Sequence, residues 1–267
     1  MKVDVVLLTK NSVEPCLKEC VESIYRNVPV NRLIVVDGGS VDGTLELLLG
    51  YPNVEVIEDT WGTRATARQK GIEAVLTEWH VHVDSDVILS NGWFQKAWSL
   101  VVEDTGAVWG VAVPINEHFF NIDYAMAKFH RITVRDMLVQ QIRSERFMMH
   151  DTLVRTAAVK GIQIPRKLHA WEDDYIGKHI VRQGYQFLKV KEPHCLHNVT
   201  MYERLDTCVL GGYLLKNNSK WSFQKFMSRF FLAFLKAFWI FAVTRDFQAA
   251  KFMFQCYTLM LKGWFIK

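Results

Sequence analysis

Asp84 and Asp86 flank Ser85 between the apolar run Trp79-His80-Val81-His82-Val83 and the run Val87-Ile88-Leu89. Two carboxylates delivered together at a strand end suit a hard divalent cation. Such a cation takes oxygen ligands and keeps positions open for water and phosphate, so it can grip a diphosphate. The competing reading is an Asp-Ser-Asp turn that only solvates the strand end. The spacing alone does not separate the two, and the order of the surrounding elements bears on the choice.

Residues 3–8 form a short apolar run rich in β-branched side chains, the pattern of a buried strand. Thr9-Lys10-Asn11-Ser12 ends it. Over residues 14–26, Leu17, Val21, Ile24 and Tyr25 fall at helical spacing. Residues 33–36 predict a second strand, closed by Asp37-Gly38-Gly39-Ser40, and Ser40-Val41-Asp42-Gly43-Thr44 leads into a helix at 45–49. Residues 54–57 predict a third strand, 64–76 a helix, and 81–83 the strand that delivers Asp84. This alternation predicts an α/β protein with a mostly parallel sheet covered by helices on both faces. Ligands bind beyond the carboxyl ends of such strands, so Thr9, Asp37 and Asp84 are expected to converge on one crevice. Further on, residues 108–113 and 186–190 predict strands, with 193–197 following. Residues 123–146 read as a charge-rich helix, either a solvated face or a basic segment that closes over phosphate. A helix starts near Trp171-Glu172-Asp173-Asp174, and Gly184 is placed to end it.

The chain has 267 residues, half of them hydrophobic, enough for one large domain or a domain with an appendage. A net charge of +4 without a long basic block excludes nucleic acid from the expected partners. The cysteines are Cys16, Cys20, Cys195, Cys208 and Cys256. Their odd number and the lack of a CxxC pair argue against a disulfide framework. Cys16 and Cys20, one helical turn apart, read as a buried helix face. No signal peptide is read at the start of the chain, so a cytosolic or cytosol-facing protein is expected.

In its ordered motifs the chain resembles the inverting glycosyltransferases of family 2, which have the GT-A nucleotide-sugar-binding fold. The series runs from Val5-Val6-Leu7-Leu8-Thr9-Lys10-Asn11-Ser12 through Leu33-Ile34-Val35-Val36-Asp37-Gly38-Gly39-Ser40-Val41-Asp42-Gly43-Thr44. It continues through Gly62-Thr63-Arg64-Ala65-Thr66-Ala67-Arg68 to Asp84-Ser85-Asp86, then Trp171-Glu172-Asp173, Gly184-Tyr185 and His197. The resemblance implies that Asp37 holds a nucleobase edge, with Thr9 supporting the pocket; an Asx turn opening the Gly-Gly loop is the other reading of Asp37. It implies that Arg68 approaches the nucleotide or its phosphates, with Arg64 the alternative one turn earlier. Asp84, Ser85 and Asp86 would contact the nucleotide-sugar. Asp86, Asp84 directly or through water, and His197 would hold Mn2+ or Mg2+, with His194 competing for the last position. Asp173 is the implied general base, taking a proton from an acceptor hydroxyl in an in-line displacement at the anomeric carbon. An N-terminal acidic cap is its alternative reading. If the acceptor is a phosphate, Asp173 would only orient it. The chain departs from the family where His179 and Arg182 occupy the helix after Glu-Asp. It also departs at Val87-Ile88-Leu89, which lacks the acidic or Gln ligand of dolichyl-phosphate mannose synthases.

Residues 219–267 differ in composition. Phe223, Phe226, Phe230, Phe231, Phe234, Phe238, Trp239 and Phe241 crowd one stretch, with Lys225, Arg229 and Lys236 among them. Gln248, Lys251, Gln255, Thr258 and Lys262 form a polar stripe on a second. Neither is read as a bilayer span. Two amphipathic helices lying in a membrane interface are expected, the alternative being packing on the catalytic domain or a homodimer interface. The expected organisation is a GT-A catalytic domain at 1–218 and amphipathic helices at 219–267. Within the domain, about 1–110 form the nucleotide-sugar and metal half and 111–218 the acceptor half. The expected partners are a UDP- or GDP-sugar donor and a polyprenyl or dolichyl phosphate or lipid-linked glycan acceptor. The expected place is the cytoplasmic face of a membrane. A soluble acceptor, a nucleotidyltransferase and a non-catalytic binding protein are the competing readings.

Overall fold

Apolar runs and capped helices alternate from the first residue, and each becomes an element of a sheet with helices on both faces. The computed structural model describes residues 1–139, 147–198, 201–217 and 221–266. The first half comprises β1 (Val3–Thr9), α1 (Leu17–Asn27), β2 (Val30–Asp37), α2 (Thr44–Leu49), β3 (Val54–Glu58), α3 (Arg64–Ala74) and β4 (Trp79–Asp84). β1 pairs in parallel with β2 and β4, and β2 with β3. Along β1, Val5 and Leu7 point into the core formed with α1, while Val6 points to the opposite face among Ile34, Val36, Ala67 and Val75. That period of two is what helices on both faces require. α3 lies close on this second face, where a Cβ at Gly71 would come within 2.4 Å of Val6 Cγ1.

The second half is antiparallel. β5 (Val87–Leu89), α4 (Trp93–Trp98) and β6 (Thr105–Pro114) are followed by α5 (Glu117–His130) and α6 (Val134–Val139). β7 (Asp151–Arg155), α7 (Thr156–Val159), α8 (Glu172–Arg182) and β8 (Gln186–His197) come next. β7 is antiparallel to both β4 and β6, and β5 to β8. The sheet order is β3-β2-β1-β4-β7-β6-β8-β5. The strand ends set the site: register pairs Thr9 with Asp37, Leu8 with Asp84, Val83 with Asp151 and Val87 with His197.

The chain clusters into two compact units, Met1–Val113 with Gln141–Asn198, and Pro114–Gln140 with Val199–Lys267. The second unit is helical. α9 (Met201–Lys216), α10 (Phe223–Thr244) and α11 (Phe247–Trp264) join α5 and α6. Its core comprises Ile122, Ala125, Met126, Ile240, Ala249 and Phe252. This unit therefore begins well before residue 219. The charge-rich helix expected over 123–146 differs from what is found. α5 starts earlier, capped by Asn116, which accepts from His118 N at 3.0 Å, and ends at Arg131 with φ 55°. The left-handed residue turns the chain out of the helix before α6. Arg143, Glu145 and Arg146 lie outside the described residues. By length and composition alone α10 could cross a bilayer, although charged residues interrupt its apolar run, as the sequence shows. Lys225 and Arg229 fall in its first turns, and Lys236 divides the apolar stretch behind them.

Candidate active site

Thr9 and Asp37 end adjacent parallel strands, and the structure brings them into contact. Asp37 Oδ1 accepts from the Thr9 hydroxyl at 2.9 Å and the Ser40 hydroxyl at 2.6 Å. Its Oδ2 accepts from the backbone of Gly39 at 2.9 Å and of Ser40 at 2.8 Å. Burial opposes the charge of Asp37, but these hydrogen bonds outweigh it and hold the carboxyl below its ordinary value. Four accepted bonds fill both oxygens, so in this structure the carboxylate shapes the Gly-Gly loop. Gly39 at φ 84° occupies the left-handed region that favours glycine, and a Cβ there would meet Thr60 at 2.8 Å. Behind this loop, Ser12 N donates to Thr44 Oγ1 at 2.8 Å, and Thr44 Oγ1 donates to Asp42 at 2.5 Å.

Asp84, Ser85 and Asp86 turn from β4 into β5. Ser85 donates to Ser12 Oγ at 3.1 Å, tying the turn to the loop after β1. Asp86 and His197 come together, with Oδ2 3.1 Å from Nε2. Neighbouring ligands on an octahedral ion with bonds near 2.1 Å stand about 3 Å apart, so this carboxylate and imidazole fit a divalent cation. His194 does not compete for the place; its Nδ1 lies 2.9 Å from Glu192 in an exposed pair. Asp84 faces a different partner, the Arg68 guanidinium.

Arg68 is buried on α3. Besides Asp84 it reaches His82 Nδ1 at 3.2 Å, and its Nε lies 3.9 Å from Glu172 Oε1. Burial works against its charge, and Asp84 and Glu172 more than restore it. An Arg only donates, so His82 accepts on Nδ1. Burial and the charge of Arg68 hold that imidazole well below its ordinary pKa, so it is neutral. The guanidinium is thus held by side chains of this chain, with Asp84 the first of them.

Asp173 sits in the first turn of α8 and accepts from the backbone of Asp174 at 2.8 Å. Trp171, just before the helix, has φ 71°, a rare conformation for a bulky residue that marks a constrained corner. Burial pushes the Glu172 carboxyl up to about 7, the charge of Asp173 adds to the push, and Arg68 pulls back. One buried cation thus stands between Asp84 and the Glu172-Asp173 turn. Sequence reasoning missed His82, Ser12 and Thr44, and left Glu172 only as a residue that orients a neighbour. The Ser40-Val41-Asp42-Gly43-Thr44 turn signal could have pointed to the Thr44–Asp42 cap.

The sequence profile described as glycosyl transferase family 2 matches residues 4–162, more than half of the chain. No curated protein matches it. Among solved structures, TarS of S. aureus is similar with a TM-score of 0.56 and 17% identity, covering 82% of this chain. This chain spans 40% of the length of that TarS chain. The mannosyltransferase PcManGT of Pyrobaculum calidifontis, solved in complex with GDP-Man and Mn2+, is similar with a TM-score of 0.63 and 15% identity, over 98% of this chain and 85% of its own. Glucosyl-3-phosphoglycerate synthase of Mycobacterium tuberculosis, solved with Mn2+, UDP and phosphoglyceric acid, has a TM-score of 0.54 and 17% identity, over 77% and 74%. At these identities the likeness is one of fold.

Proposed function

The chain belongs to glycosyl transferase family 2 and is a glycosyltransferase, and we propose that it moves a sugar, with inversion, from a UDP- or GDP-sugar to a lipid-linked acceptor at a membrane surface. The observation that carries the reading is the reach of Arg68 to both Asp84 and Glu172. It supports assigning the Asp-Ser-Asp turn and the Glu-Asp turn, far apart in sequence, to one site.

In this reading Thr9 and Asp37 shape the nucleoside pocket at the ends of β1 and β2. A base N–H would approach Asp37 by sharing an oxygen with the Ser40 hydroxyl. Arg68 holds Asp84 in place rather than reaching the phosphates itself. Asp86 and His197 would hold Mn2+ or Mg2+, which neutralises charge on a diphosphate leaving group when bound. Asp173 takes the proton from an acceptor hydroxyl, and the acceptor oxygen forms its bond to the anomeric carbon as the bond to the diphosphate breaks. Burial pushes the Glu172 carboxyl beside it up to about 7, so Glu172 holds its proton more tightly than an ordinary carboxyl. With a phosphate acceptor no proton is taken and Asp173 orients the incoming oxygen.

The membrane part rests on α10. Phe231, Phe234, Leu235, Phe238 and Phe241 are exposed along it, while Phe226, Ala233 and Ile240 face its own unit. An apolar face on a packed helix fits an interfacial position better than a span.

A donor screen by nucleotide release tests the chemistry, using UDP- and GDP-sugars with Mn2+ or Mg2+ and with polyprenyl phosphate present or absent. Release that needs both a divalent ion and the lipid phosphate is expected. Asp86→Ala and Asp173→Asn should each lower turnover by roughly a hundredfold or more in folded protein. Unchanged turnover in either would remove that residue from the mechanism. If Asp173→Asn keeps turnover only with a phosphate acceptor, its role is orientation.

A further inference from the structure

Behind His197 lies a second set of ligand-type side chains that sugar transfer does not use. Asp151 opens β7 and His150 precedes it; Cys195 is on β8, two residues before His197. All three are buried, Asp151 and Cys195 completely. One ligand atom from each lies within 4.8 Å of the others, the only such group of three among the described residues. His150 Nδ1 is 3.7 Å from Cys195 Sγ and 2.6 Å from Asp151 Oδ1. Asp151 Oδ1 has no aligned N–H donor, and the Cys195 thiol hydrogen-bonds the same carboxylate. The other oxygen of Asp151 accepts from the Trp93 indole at 2.9 Å, which fixes the carboxylate's orientation. A buried carboxylate whose neighbours are a thiol and an imidazole gains a stronger partner when a cation replaces the thiol proton. An inner oxygen turned to other ligand atoms, with an outer oxygen held by an indole, is the pattern of a supported metal ligand.

We propose that His150, Asp151 and Cys195 hold a transition-metal ion of the Zn2+ type, separate from the divalent cation at Asp86 and His197. One nitrogen, one oxygen and one sulfur suit a borderline-soft ion, whereas Mg2+ and Mn2+ disfavour thiolate. A doubly charged ion with one carboxylate, one thiolate and one neutral imidazole carries no net charge, which suits a site within the apolar core. On a tetrahedral ion the nitrogen and sulfur stand about 3.6 Å apart, close to the observed spacing. The nitrogen and oxygen stand about 3.3 Å apart on such an ion, so Asp151 Oδ1 moves outward by less than about 1 Å. Binding releases the Cys195 thiol proton and any proton on His150 Nδ1 to solvent. The ion ties β7 to β8 directly behind the site, since the His150 ring packs 5.5 Å from that of His197.

Cobalt distinguishes this site from the other, which contains no sulfur. Full-length protein is stripped with a chelator and titrated with Co2+. The expected result is a thiolate-to-cobalt charge-transfer band that saturates at one equivalent, is displaced by Zn2+ and persists in Asp86→Ala. Cys195→Ser should lose it. The variant with Cys16→Ser and Cys20→Ser should keep it, a check that holds even if Cys195→Ser fails to fold. X-ray absorption of the zinc-loaded wild-type protein should show one sulfur neighbour at about 2.3 Å. No charge-transfer band in folded wild-type protein, a band that survives in Cys195→Ser, or loss of the band with Cys16 and Cys20 would each overturn the proposal. In those cases the three residues form a hydrogen-bonded cluster without a metal. None of these readouts depends on turnover, so they stand apart from the glycosyltransferase reading.

Discussion

Three buried titratable side chains decide how the site responds to acid. His80 and His82 are completely buried neighbours on β4, their rings 5.0 Å apart. Burial lowers His80 to about 3 and His82 well below its usual value. Glu172 moves the other way, up to about 7. Between about pH 5 and 6 the unfolded chain protonates both histidines and ionises Glu172, while the folded chain does the reverse. Folded protein then binds one proton where unfolded protein binds two, so stability rises with pH by about 1.4 kcal/mol per unit. Glu172 alone contributes the opposite sign, because its raised pKa loses stability as pH climbs from its unfolded value toward 7. Glu172→Gln removes that offset, and the slope should steepen toward about 2.7 kcal/mol per unit. Denaturant unfolding across this pH range measures it; an unchanged slope would show that Glu172 is ionised in the folded protein. The sequence could not disclose this balance. The resemblance implies that Arg68 approaches the nucleotide or its phosphates, whereas β4 and α8 supply its partners in the structure.

At the level of elements, legibility followed periodicity. β1 to β4 were readable because each apolar run is closed by polar or glycine residues, and those closings became the site loops. β7 was not. Asp-Thr-Leu-Val-Arg carries no alternation, and it is a strand only because β4 and β6 flank it in antiparallel register. The pair of Asp86 with His197 was readable from motif order, whereas His150, Asp151 and Cys195 meet only through that unseen strand. In the helical unit, α9 and α11 meet at glycines, a closeness that composition does not show. A Cβ on Gly212 would fall 1.9 Å from Met260 O, and one on Gly263 1.8 Å from Val209 O. Neither backbone neighbour can rotate away, so the helices must separate. Gly263→Ala should therefore destabilise the protein by roughly 1–3 kcal/mol through overpacking, despite the better helix propensity of Ala. Thermal unfolding checks this, and a stabilised variant would show that the helices are not in close contact.

For the molecule as a whole, the structure changes how membrane association should be tested. Removing residues beyond 220 deletes Ile240, Ala249 and Phe252, which share a core with Ile122, Ala125 and Met126 of α5. A truncated chain that failed to bind lipid would show only that its helical unit had lost its core. Substitutions on the outer face avoid that fault. Phe231, Leu235 and Phe238 are 62%, 64% and 73% exposed, so replacing them with Ser leaves the unit's core in place and loses only surface contacts such as that of Phe231 with Phe230. Each such side chain contributes up to roughly 1.5–3 kcal/mol when fully removed from water, so losing three should cut partitioning by at least about a hundredfold. Lys225 and Arg229, near the start of the same helix, are exposed, and attract anionic headgroups. Wild-type protein should therefore float with phosphatidylserine-containing liposomes more than with neutral ones, and the triple variant with neither. Its donor-only nucleotide release should be retained, because the residues proposed to bind the sugar-nucleotide lie on other elements. Equal flotation of wild type and variant, or none by either, would remove the membrane and return α10 to the role of an interface between copies of the chain.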